Sequence, residues 1–251
     1  MPFNTAELIR PQIERLLPFV APILVYPRIQ CETSQWITGG STVFISTPNN
    51  RFLITAEHVL REIEQQKKMR EVVVLVGGTS TEPIDITDWP ILARDDFLDV
   101  CTIQVPPEFD SLELNKQFFH ISNWPPVEAA IGNEMLIMGY PAAHRVGYDQ
   151  TINARFLPVC DYVTDVGPRR FTIADENNER EILINPENLE FPNHLGGMSG
   201  APVFKLVNET DPEFLGIFTE GSDGLRGAYF CTHAYFLLSN GKLDAARIPP
   251  R

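Results

Sequence analysis

A serine set among glycines, a histidine and an aspartate, each beside an apolar run, are the residues of this chain whose types and order suit joint chemistry. Ser199 stands in N-H-L-G-G-M-S-G-A-P-V-F, residues 193–204. Gly196, Gly197 and Gly200 let the backbone turn tightly there and leave its N–H groups uncovered by side chains. A tetrahedral acyl intermediate carries its negative charge on oxygen, and such preorganised donors stabilise it. The serine hydroxyl is a weak nucleophile alone and needs a base. His58 closes the apolar run F-L-I-T-A-E-H, residues 52–58, and Asp99 opens V-C-T-I-Q-V, residues 100–105. Taken singly these are a core histidine, a strand cap and a turn residue. Together they follow the order His, Asp, Ser, separated by 41 and 100 residues, which is one of the orders in which a nucleophile, its base and the acid that orients the base occur. Of the neighbouring acids Asp95, Asp96 and Asp99, the choice falls on Asp99. Cys101, Ile103 and Val105 alternate after it and place it at the mouth of a strand; Asp96 is the alternative.

These motifs carry a resemblance. T-A-E-H-V, residues 55–59, resembles the T-A-x-H signature of the trypsin/chymotrypsin-like serine peptidases, and G-M-S-G-A-P-V, residues 197–203, is similar to that family's G-D-S-G-G-P. G-N-E-M-L-I-M-G-Y-P, residues 132–141, resembles the strand that opens the second barrel in bacterial members. The resemblance implies an all-β fold of two six-stranded Greek-key β-barrels with the active site in the cleft between them. It implies a serine endopeptidase working through an acyl-enzyme, with His58, Asp99 and Ser199 catalytic and the N–H groups of Gly197 and Ser199 as the oxyanion hole. By family position Asn193 borders the specificity pocket, with His194 as a wall residue, and Thr219, Glu220 and Gly221 hold the substrate backbone as an added strand.

Two positions depart from the family pattern. Met198 replaces an aspartate that in digestive and clotting relatives pairs with a freed N-terminus, so that activation switch is excluded, and the site is either preformed or ordered by a partner. Ala201 replaces a glycine, a mild change. Asn193 is neutral, so cleavage after Lys or Arg is not implied; Glu220 or Asp223 would supply a basic preference. Two rival readings follow: a dormant peptidase fold retained as a peptide- or protein-binding module, and an esterase using the same triad.

Composition bounds the rest. The 251 residues are 43% hydrophobic and 21% charged, a globular balance with material for a large core. A net charge of −13 disfavours nucleic acid and anionic membrane surfaces, and no lysine- or arginine-rich stripe exists beyond Lys67, Lys68 and Arg70. The expected partners are a protein or peptide substrate and an activating or inhibiting protein. The four cysteines, Cys31, Cys101, Cys160 and Cys231, lie far apart with no C-x-x-C pair. His120, His144, His194 and His233 form no paired ligand spacing, so neither metal nor cofactor is implied. Residues 16–26 are apolar but broken by Pro18 and Pro22 and preceded by mixed charge, which favours a cytoplasmic protein over a signal peptide.

The elements that must position these residues can be read from periodicity and turn signals. An amphipathic helix is expected over 5–17, with Asn4 and Glu7 as a capping box, within an N-terminal arm of residues 1–30. A first barrel is expected over 31–105, a proline-bracketed linker over 106–126 and a second barrel over 127–251. Strands are expected at 20–25, 35–45, 51–55, 71–76, 84–89, 132–141, 151–163, 170–174, 181–185, 201–207, 214–219 and 229–238, with a short helix over 57–68 that carries His58 near its start.

Overall fold

The computed structural model describes residues 5–28, 37–77, 82–109, 114–121, 123–148, 151–174, 181–182, 194–206, 212–222 and 227–251. Helix α1 spans Thr5–Leu16 and buries Ile9, Ile13 and Leu16, one stripe at i, i+4 and i+7, while Arg10, Glu14 and Arg15 face water. A single 3₁₀ turn, Leu17–Phe19, carries Pro18 and delivers the chain into β1, Val20–Pro27. The first sheet is completed by β2 (Thr38–Ser46), β3 (Arg51–Thr55), β4 (Val72–Val76), β5 (Ile84–Asp85), β6 (Ile91–Asp95), β7 (Val100–Gln104) and β8 (Phe119–His120). Between β3 and β4 lies α2, Glu57–Met69. The strand order is β5-β4-β1-β2-β3-β7-β6, with β8 added in parallel to β2. The sheet thus draws in residues 20–27, which the sequence reading assigns to an arm.

The second half contributes β9 (Glu134–Gly139), β10 (Arg145–Tyr148), β11 (Thr151–Ala154), β12 (Leu157–Val166), β13 (Arg170–Ile173), β14 (Glu181–Ile182), β15 (Pro202–Lys205), β16 (Glu213–Gly221) and β17 (Tyr229–His233). Here β13-β17-β16-β15-β9-β12 run in series and β12 pairs back onto β13, closing a six-stranded barrel with no free edge among those strands. β14 adds to the outside of β12, and β10 with β11 forms a separate hairpin.

Alternation along the strands explains why two sheets pack so closely. Phe44 and Leu53 point into the first sheet, whereas Val43, Ile45, Phe52 and Ile54 point out of it. In the barrel Met135, Ile137, Val203 and Leu215 point inward, and Leu136, Met138, Phe204, Phe214 and Ile217 point out. The two outward sets, with Ile9, Ile13 and Leu16 of α1, form one shared core between the sheets. Strands buried on both faces read as continuous apolar runs, and each large side chain so buried contributes roughly 1.5–3 kcal/mol.

The structure corrects several boundaries. The strand expected over 84–89 stops at Asp85, because the Asp85 carboxylate accepts the Thr87 N–H and the Thr87 hydroxyl then accepts the Val74 N–H, turning the chain. β6 was not anticipated: it is an edge strand with a register shift and no clean alternation. The run expected over 151–163 is two strands, since β11 leaves to pair with β10. The final run ends at His233, where Ala234–Phe236 winds into a 3₁₀ turn.

Candidate active site

His58 is the second residue of α2. β3 brings the chain up rigidly, Ala56 stays extended (φ −72°, ψ 144°), and the helix starts at Glu57. Asp99 lies in the tight turn between β6 and β7 with φ 55°, a left-handed conformation that Asp and Asn tolerate better than most residues. That turn is built by Asp95, whose Oδ1 accepts the N–H groups of Phe97 (2.9 Å) and Leu98 (2.8 Å), and by Thr232, whose hydroxyl donates to the Leu98 carbonyl. Arg94 binds the turn to the helix, donating to Glu57 at 2.6 Å and Glu64 at 2.7 Å. His58 and Asp99 are therefore fixed to each other twice, directly and through Arg94.

The direct contact uses both carboxylate oxygens. Asp99 Oδ2 accepts from His58 Nδ1 at 2.8 Å and Oδ1 accepts the His58 backbone N–H at 2.9 Å. With the proton on Nδ1 so engaged, Nε2 carries the lone pair and is the basic nitrogen. Burial of the ring opposes its protonation and is the largest single influence. The hydrogen bond to Asp99, the Asp99 charge and the charge of Glu62 together outweigh it, so the His58 pKa lies above its ordinary 6.5. A base works only when neutral, so the rate of any reaction using His58 rises with pH through that raised pKa. If His58 is the base of a reaction at this site, the acid limb of its kcat/KM has its midpoint above 6.5, read from a pH–rate profile; a midpoint below 6.5 contradicts that role. By linkage the protonated ring stabilises the fold at acid pH, and that contribution disappears as pH rises through the folded-state pKa.

Ser199 is pinned from both sheets. Its carbonyl accepts the N–H of Ser41 in β2 at 2.8 Å, and the next residue, Gly200, donates its N–H to the Phe218 carbonyl of β16 at 2.8 Å. Gly200 has φ +87°, and a Cβ there would lie 2.2 Å from the Ser41 carbonyl oxygen and 2.4 Å from Thr55 Oγ1. Only glycine permits so close an approach to β2 and β3, three residues before His58. Among the described residues the N–H groups of Gly197 and Ser199 donate to no protein acceptor; Ser199 lines the cleft and Gly197 does not. Met198 is buried in the barrel core with Leu195 and Ala201.

His58, Asp99 and Ser199 line one cleft of about 520 Å³. Thr219, Glu220 and Gly221, proposed from sequence, line it as well; Asn193 and Asp223 lie outside the described residues. Thr219 is fixed by its hydroxyl bond to the Phe230 carbonyl at 3.0 Å, beside a register shift between β16 and β17. Asp96, the alternative acid, also reaches the cleft, but its carboxylate pairs with Arg251 and the pair on His58 is Asp99. Arg61, Arg169 and Phe218 complete this wall without having been marked by any motif, with Leu195 from the glycine-rich segment. His194 lines the cleft too, in keeping with a wall position. Among the described residues no group of three His, Cys, Asp or Glu side chains is placed to hold a metal, and no helix is long and apolar enough to cross a membrane.

No protein-family model matches the chain, and no curated protein does. Among solved structures it is similar to Deg5, with a TM-score of 0.51 at 14% identity over 92% of this chain and 90% of that one. It is also similar to AL20, a thermostable serine protease from an extremophilic microorganism, with a TM-score of 0.49 at 13% identity over 86% and 91%. With the closed six-stranded barrel packed against a second β-sheet, the chain has a chymotrypsin-like, protease-type fold.

Proposed function

We propose that the chain is a serine endopeptidase in which Ser199 is the nucleophile, His58 the general base and acid, and Asp99 the residue that orients His58. The observation that carries this reading is the Asp99 carboxylate, held with both oxygens on His58 at the rim of the cleft that Ser199 lines. Ser199 Oγ attacks the substrate carbonyl carbon as His58 Nε2 takes its proton. The resulting oxyanion accepts the N–H groups of Gly197 and Ser199. His58 then protonates the leaving amine, a water enters and gives its proton to His58, and the acyl group leaves Ser199. The substrate backbone lies as an added strand along residues 219–221. An esterase would use the same steps.

Charge supports a narrow specificity that is not basic. Two of the acids on the described cleft wall face a cation and the third is engaged by His58: Asp96 has Arg251, Glu220 has Arg170 at 3.5 Å, and both oxygens of Asp99 accept from His58. Glu220, open on sequence grounds to supply a basic preference, shares its charge with Arg170 at an exposed position. A Cβ on Gly221 would lie 2.9 Å from Phe218 Cζ and 3.1 Å from Leu195 Cδ1, so apolar side chains close the space between the two walls. We expect cleavage after small apolar residues to exceed cleavage after Lys or Arg by at least tenfold, about the selectivity that pocket shape alone can supply. A peptide library digested by the native chain and read by mass spectrometry tests this. Cuts concentrated after Lys or Arg contradict the specificity, and no cuts at all with Ser199 and His58 intact favour the binding-module reading.

A further inference from the structure

Arg145 is a buried arginine at the start of β10, and it reaches the loop that carries Gly197 and Ser199. Its Nη2 donates to the carbonyl of Tyr140 at 2.7 Å, of Gly40 at 3.2 Å and of Gly197 at 3.3 Å. Three chain segments, β2, the turn after β9 and the Ser199 loop, thus converge on one guanidinium. Two glycines make the room. A Cβ at Gly39 would lie 2.8 Å from Arg145 Nη1, and one at Gly197 would lie 2.7 Å from Nη2. Ser41 works beside it: its hydroxyl donates to the Gly197 carbonyl at 2.9 Å and accepts the Tyr140 N–H at 2.9 Å.

The consequence lies in the peptide planes. In a planar trans peptide the C=O and the following N–H point in opposite directions, so fixing one fixes the other. The Gly196 carbonyl accepts the Ala142 N–H at 2.6 Å, which sets the Gly197 N–H. The Met198 carbonyl accepts the Ala201 N–H at 2.8 Å, which sets the Ser199 N–H. The plane between them is held at both ends, by Arg145 and Ser41 on the Gly197 carbonyl and by the Met198 N–H donating to the Leu195 carbonyl at 2.9 Å. Arg145 also holds the Tyr140 carbonyl, and with it the turn that supplies Ala142. Burial lowers the Arg145 pKa to about 10, so the guanidinium keeps its charge at neutral pH.

We infer that Arg145, assisted by Ser41, is the positioning residue of the oxyanion loop: it keeps the Gly197 and Ser199 donors aimed in the free chain, so the site is formed without a partner or chain cleavage. This rests on the proposed nucleophilic role of Ser199. It gives the loop an internal cation where the position of Met198 offers no charge.

The test is the second-order rate of fluorophosphonate labelling, because the phosphonyl oxygen needs the same two donors as an acyl oxyanion. Arg145→Met should label about 100-fold more slowly, in the range of losing one oxyanion donor. Arg145→Lys should fall between the two, since an ammonium lacks the planar fork. The NMR titration of His58 should not move in either, because Arg145 makes no contact with the His58–Asp99 pair; a general loss of structure would shift it. Should Arg145→Met not fold, Ser41→Ala, which removes one hydroxyl, should still slow labelling about tenfold. A folded Arg145→Met or Ser41→Ala chain that labels at the native rate overturns the inference and leaves Ser199 as nucleophile. Labelling of the native chain only after a partner or a cleavage is supplied overturns it likewise. A native chain that never labels overturns the nucleophile reading, and the inference with it.

Discussion

Ser199→Ala is expected to lower kcat for peptide hydrolysis by about 10⁶-fold, with KM little changed. Ser199 and His58 act as one unit in this mechanism. Without the hydroxyl the imidazole has no proton to take, and without the imidazole the hydroxyl is too weakly acidic to attack. His58→Ala should therefore cost about as much, and the double variant no more than either single one. What survives is the contribution of the Gly197 and Ser199 donors and of substrate binding, roughly 10³–10⁴ over the uncatalysed reaction. Both substitutions are mild for the fold. Ser199 is held through its backbone carbonyl, which alanine keeps, and His58 is partly exposed at the cleft. Steady-state kinetics on a cleaved library peptide, with circular dichroism to check folding, measures the effect; a fall below tenfold in either variant is incompatible with the proposed roles.

Asp99→Asn should cost about 10⁴-fold in kcat while leaving the protein folded. An asparagine amide offers one oxygen and one NH₂ group, whereas Asp99 uses two oxygens, one on the ring Nδ1 and one on the His58 backbone N–H. Whichever way the amide turns, one donor meets another donor, or the ring must shift its proton to Nε2 and lose its basic lone pair there. The backbone is the reason to choose asparagine. At φ 55° an alanine would add strain of its own, while asparagine tolerates the conformation. The acid limb supplies a second readout, since removing the carboxylate removes the hydrogen bond and the Asp99 charge that raise the His58 pKa, leaving only the charge of Glu62, and its midpoint should fall. Unchanged kcat with an unchanged acid limb would show that Asp99 does not orient His58.

The contrast between what sequence disclosed and what it hid follows from the range of the interactions. His58 and Asp99 were legible because each borders an apolar run, a continuous one before His58 and an alternating one after Asp99, local patterns that place a polar residue at a strand mouth. The glycines around Ser199 were legible because tight turns restrict residue type within a few positions, and Gly200 indeed stands where any side chain would strike Ser41 and Thr55. Arg145 was not. Its three carbonyl partners come from residues 40, 140 and 197, and no local pattern marks a cation that three distant segments will surround. Arg94 was missed for the same reason, lying in an edge strand whose alternation is broken by a register shift. The strand expected over 84–89 failed because a side-chain turn at Asp85 and Thr87 outcompeted the ladder, a choice that strand propensity does not register.

Trapping the acyl form of Ser199 separates an activated nucleophile from a turn residue. The native chain mixed with an activated aryl ester should release a burst of phenol equal to one site, and rapid acid quench followed by peptide mass mapping should find a single acyl group on Ser199. His58→Ala should give neither burst nor adduct. An adduct on another residue, or equal acylation of native chain and His58→Ala, would contradict the account.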